Sequence, residues 1–120
     1  MDYPNLKQRT KRFGLEVIRL AEMLPRDPTS RILAGQLVRA GTSVGANYRA
    51  ACRAKSKADF VSKLGTVEEE SDESAFWLEM LVDAGKVAPA AAARLIRGAG
   101  ELTAIVVSSI NTARKSSGRT

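Results

Sequence analysis

Between Ser43 and Met80 two stretches of helical spacing meet at a capping signal, and this junction constrains the fold more than any other part of the chain. Upstream, Leu33, Leu37, Ala40, Val44 and Ala51 recur at alternating steps of three and four, with Asn47 as the polar exception. Downstream, Phe60, Leu64, Val67, Ser71, Ser74, Leu78 and Leu81 do the same. Ser56 followed by Lys57-Ala58-Asp59 separates them in a capping-box-like arrangement. There the hydroxyl accepts from a free backbone N–H of the new helix while the carboxylate reaches back. Two long amphipathic rods joined by so short a turn pack as antiparallel neighbours.

The flanking segments repeat the pattern. Leu6, Thr10, Phe13, Val17, Leu20 and Leu24 form one face of a first helix, which Pro25 and the Arg26-Asp27-Pro28 turn bring to an end. Asp27 before Pro28, or alternatively Thr29 or Ser30, is placed to cap the second helix. The third helix closes at Ala84-Gly85, where glycine takes a left-handed cap. Pro89 suits the first turn of a fourth, whose inner stripe is Ala92, Leu95, Ala99, Leu102, Val106 and Ser109, widened by Ile105 and Ile110. Expected helices therefore cover about 5–24, 29–54, 57–84 and 89–115, and residues 116–120 are expected to fray.

The predicted fold is all-α, an antiparallel up-down-up-down four-helix bundle forming one domain over residues 1–120. With 44% hydrophobic but only 5% aromatic residues, its core must be built from Leu, Val, Ile and Ala. Gly98 and Gly100 are the weak point of the fourth helix, since each interior glycine costs about 1 kcal/mol relative to alanine. Gly35, Gly41, Gly45 and Gly65 are also interior. They point either to close packing of the second helix on the third or to tolerated glycine on solvated faces.

At this stage the residues match a known family. Ser43-Val44-Gly45-Ala46-Asn47-Tyr48-Arg49-Ala50-Ala51, then Ser56-Lys57-Ala58-Asp59-Phe60, then Glu68-Glu69-Glu70 through Trp77-Leu78 resemble the bacterial four-helix-bundle proteins. These are also called intervening-sequence proteins, because some members are encoded in insertions within large-subunit ribosomal RNA genes. The accessory variability protein of diversity-generating retroelements looks related. The likeness covers nearly the whole chain, which departs from many members in having Gly45 where they carry proline and no glycine near Ala51. The resemblance implies a homopentamer, a ring of bundles with a basic surface. It implies little about function: most members have none assigned, and nucleic-acid binding is associated with the retroelement relatives.

The residues themselves exclude much chemistry. There is no histidine, so the commonest general base, the usual zinc nitrogen ligand and every Ser-His or Cys-His nucleophile are missing. The run Glu68-Glu69-Glu70 with Asp72 and Glu73 lacks the Glu-x-x-His pairs of carboxylate-bridged metal bundles. No catalytic residue, metal site or cofactor is expected. Cys52, the single cysteine, is expected to pack as a small apolar group. The N-terminus has no signal-peptide pattern and no run reaches the roughly 20 apolar residues of a bilayer span, so a cytoplasmic, non-membrane protein is expected.

Charge is unevenly distributed: residues 1–57 carry 12 Lys/Arg against 4 Asp/Glu, and residues 58–120 carry 7 against 9. The asymmetry suits either a polyanion partner or oppositely charged faces that meet in assembly. Arg49, Arg53, Lys55 and Lys57 cluster at the turn between the second and third helices, while Lys7, Arg9, Lys11, Arg12 and Arg19 are scattered on the first. Arg49, Arg53, Lys55, Lys57, Lys11 and Arg12 are the candidate phosphate contacts, with ordinary solvated cations as the competing account.

Folding the second helix back on the third about residues 55–57 brings Arg39 level with Glu73 and Asn47 level with Gly65 and Thr66. That points to a polar layer of Arg39, Asn47 and Glu73 which fixes register. Trp77 shares a face with Glu70, Glu73 and Met80 instead of the core stripe, so Trp77 and, more weakly, Phe76 are candidates for a contact between subunits of a homo-oligomer, against simple core packing for Trp77. Three readings follow: an oligomeric binding protein that contacts RNA or DNA, a scaffold or accessory subunit that docks another protein, and, least supported, an enzyme.

Overall fold

The computed structural model describes residues 5–117. Four helices follow in order: α1 (Leu6–Glu22), α2 (Pro28–Ala51), α3 (Lys57–Asp83) and α4 (Pro89–Ser117). Each packs on its neighbours around a square, α1 on α2, α2 on α3, α3 on α4 and, least closely, α4 on α1. The backbones of the diagonal pairs stay apart, as in the up-down-up-down arrangement. The resulting rod measures 54 × 22 × 20 Å. Ser116 and Ser117 continue α4, and the rest of the tail expected to fray, 118–120, lies outside the described residues.

Local chemistry sets the helix ends. Asp27 caps α2, its Oδ1 accepting from the Ser30 amide at 3.0 Å and its Oδ2 from the Ser30 hydroxyl at 2.8 Å, with Pro28 in the first turn. Ser56 caps α3 by accepting from the Asp59 amide at 3.0 Å. The Asp59 carboxylate reaches back to the amide of Lys55 at 3.1 Å, one residue beyond the capping residue itself. At the far end Gly85 adopts φ 73°. Its amide bonds to the Val82 carbonyl at 3.0 Å and that of Lys86 to the Leu81 carbonyl at 2.9 Å, a Schellman closure that a side chain at position 85 would strain.

The inner stripes meet in one core. Leu6, Phe13, Val17, Leu20 and Leu24 from the first segment are buried with Leu37, Val44 and Ala51 of α2, Leu64, Val67, Leu78 and Leu81 of α3, and Ala92, Leu95, Ala99, Leu102, Val106 and Ile110 of α4. Ser71 and Thr103 cross this core between α3 and α4 with hydroxyls 2.7 Å apart. Among the described residues no buried side-chain polar atom lacks a partner.

The glycines do something different from the expected packing of α2 on α3. A Cβ on Gly35 or Gly65 would meet nothing within 4 Å, so neither brings helices together. The close approach is between α1 and α2. A Cβ on Gly14 would lie 3.4 Å from the Gly41 carbonyl oxygen, and one on Gly45 would lie 3.3 Å from the Lys11 and Thr10 backbone. Gly98 and Gly100 leave α4 unbroken, because buried Leu95, Ala99 and Leu102 hold that stretch to the core and offset about 1 kcal/mol of lost propensity per glycine.

Candidate functional site

The antiparallel topology gathers positive charge at one end of the rod. The start of α1, the end of α2, the turn into α3 and the end of α4 all meet there, as the Lys57 Nζ to Ser116 Oγ contact at 3.1 Å shows for the last two. Residues 5–12, 48–63 and 108–117 hold four, five and two Lys/Arg, with Asp59 as their single carboxylate. Asp59 is engaged: it pairs with Lys63 at 2.6 Å and accepts from the Lys55 amide, and these contacts hold its carboxyl below the ordinary value of 3.8. Arg49, Arg53, Lys55 and Lys57 are all exposed.

Two groups that look separate in the sequence are joined here. Lys11 and Lys7 of α1 share the rim of an open groove of about 490 Å³ with Arg49 of α2; Leu15, Ile18 and Ala46 help line it. Gly14 and Gly45, where the two helices approach most closely, are among its lining residues. Arg12 lines a shallow depression along α1 together with Lys11 and Arg19, and also borders the α1/α4 cleft beside Arg9, Arg97 and Glu101. Arg9 pairs with Glu101 and Arg94 with Glu16 across that cleft. Arg114 and Lys115, in the last turn of α4, join the basic end without having been singled out by sequence. The usable signal was topological: an up-down-up-down order returns the end of α4 to the turn between α2 and α3.

Arg39 reaches from α2 to Glu70 of α3 at 3.3 Å and contacts Glu73 as well. Glu73 also accepts from the indole N–H of Trp77 at 2.9 Å. Asn47 stands apart from this group, which corrects the expected three-residue layer: its amide donates to the Ser43 carbonyl one turn back at 2.8 Å, so α2 satisfies it internally. The ion pair is also a surface feature, with the Arg39 side chain 48% exposed. Trp77 is half-buried against the core, and Phe76 beside it is exposed, the rings meeting edge to face with centroids 5.0 Å apart.

Cys52 is exposed at the C-terminal cap of α2 and does not pack in the core, a second correction. The helix ends one residue earlier, at Ala51, so the apolar stripe stops there and position 52 turns outward. Among the described residues no three of His, Cys, Asp and Glu are grouped to hold a metal ion, and no helix is long and apolar enough to cross a membrane.

Comparison with known proteins places this architecture. The solved structure of a protein of unknown function from the S23 ribosomal protein family of Bacteroides thetaiotaomicron superposes with a TM-score of 0.81 at 29% identity, covering 87% of this chain and 96% of that one. No curated protein matches the chain. The profile of the 23S rRNA-intervening sequence proteins matches residues 5–108, from the first turn of α1 well into α4. The chain therefore belongs to the 23S rRNA-intervening sequence protein family.

Proposed function

We propose that this protein is a non-enzymatic, self-associating binding protein that offers the basic end of its bundle to RNA or DNA. The observation that carries the reading is the convergence of Arg49, Arg53, Lys55 and Lys57 with Arg114 and Lys115 around one neutralised carboxylate. Cations so placed neutralise phosphates without reading bases, which makes binding independent of sequence and sensitive to salt. A ring of identical subunits, such as the pentamer associated with the family, repeats the patch and multiplies its hold through avidity. The solved neighbour is itself a protein of unknown function.

The test is binding to a generic duplex and to a generic single strand across a salt series. Replacing Arg49, Arg53, Lys55 and Lys57 together with alanine should lower the slope of log affinity against log salt by up to about 4, roughly 1 for each lost phosphate contact. Binding that ignores the four changes, or no binding at low salt, overturns the reading and favours a protein-docking scaffold.

A further inference from the structure

One surface besides the basic end calls for an occupant. The groove between α1 and α2 has an apolar floor, with Leu15 still 44% exposed, and a rim of Lys7, Lys11 and Arg49. Its charge complement lies on the same molecule. Glu69, Asp72, Phe76, Glu79 with its neighbour Met80, and Asp83 share the outer face of α3 and all are exposed. This is an acidic stripe with a large apolar centre, Phe76 at 49% and Met80 at 38% exposure.

We propose that the Phe76 stripe of one copy seats in the α1/α2 groove of the next, Phe76 and Met80 on the apolar floor and the flanking carboxylates on Lys11 and Arg49. Each surface explains the other: an apolar patch framed by one charge and an apolar groove framed by the opposite charge bury each other without stranding either. α3 lies diagonally across the bundle from α1, and its stripe is on the outer face, so groove and stripe point away from each other. A two-fold pair cannot satisfy both at one contact, and the match is head-to-tail, the kind that closes into a ring when the rotation between copies closes and runs on as a filament when it does not. The proposal rests on the self-association named above and specifies which faces meet.

The test is light scattering of the full chain after size exclusion, at low and moderate salt. Wild type should form a discrete assembly. Phe76→Ala, the stripe reversal D72K/E79K and the groove reversal K11E/R49E should each weaken it by at least about tenfold, since central aromatics and framing charges dominate such contacts. All five positions are exposed, and circular dichroism checks that each variant keeps its helices. Combining both reversals in one chain should restore assembly, because the charges match again. A wild-type monomer overturns this proposal and the self-association together. An assembly indifferent to the reversals, or not restored by their combination, overturns the face assignment alone. A monomer that binds an acidic amphipathic peptide through Lys11 and Arg49 gives the groove a different occupant and also overturns it.

Discussion

Gly41 of α2 lies directly under Val17 of α1: a methyl placed on it would sit 2.8 Å from Val17 Cγ1 and 2.9 Å from Cγ2. With Gly14 and Gly45, which also line the groove, it sets how closely the first two helices cross.

The crowding at Gly41 has a measurable sign. Val17 is β-branched and fully buried, so it has no free rotamer through which to move aside. Gly41→Ala should destabilise the protein by about 1–3 kcal/mol through overpacking, whereas Gly65→Ala, into open space on a helix, should stabilise it by up to about 1 kcal/mol. Urea denaturation of the two variants checks the pair, and equal shifts would contradict the crossing described.

Arg39 and Glu73 are in contact on a partly exposed surface, and Glu73 is shared with Trp77. A double-mutant cycle of Arg39→Ala and Glu73→Ala should therefore give a coupling of about 0.2–1 kcal/mol, the range of exposed pairs, and not the larger value of a buried layer. Glu73→Ala should also shift the tryptophan emission, because the indole N–H loses its acceptor; Arg39→Ala should shift it less.

Acid should weaken the start of α2. The two bonds from Ser30, amide then hydroxyl, together with Lys86, lower the Asp27 carboxyl from 3.8 to about 2. A group whose pKa falls on folding stabilises the native state above its unfolded value, and that contribution is lost as pH drops through the folded one. Stability from this cap should thus be complete above 3.8 and fade toward about 2. Asp27→Asn keeps an acceptor for the Ser30 amide but no titrating group, so it should flatten that part of the pH–stability curve, as followed by thermal melts.

Ser71 and Thr103 give a test at the core. Both hydroxyls have a second partner, Ser71 on the Glu68 carbonyl at 3.1 Å and Thr103 on the Ala99 carbonyl at 2.9 Å. Ser71→Ala leaves Thr103 satisfied, so it should cost no more than about 1 kcal/mol. Ser71→Leu forces a large side chain into a fully buried position and should cost about 1–3 kcal/mol or more. Thermal denaturation distinguishes the two.

What the amino-acid sequence determined by itself is what depends on neighbours a few positions away. The four stripes are legible because an apolar residue every three or four steps defines one face whatever lies opposite, and all but Leu33, Phe60, Asn47, Ser109 and Ile105 of the named positions are buried. The ends at Asp27, Ser56 and Gly85 are legible because capping is chemistry between adjacent residues. Counting through the short turn was enough to set Arg39 level with Glu73.

Only the tertiary structure decided which face of each rod meets which neighbour, because that depends on rotation and crossing of whole helices and not on local spacing. It assigned the close glycine approach to α1 and α2, turned Asn47 onto its own helix and left Cys52 outside the core. It also set Lys11 beside Arg49, and brought Arg114 and Lys115 to the basic end from the far end of the chain. A surface made of distant segments has no signature in any one of them; it exists once the rods have packed.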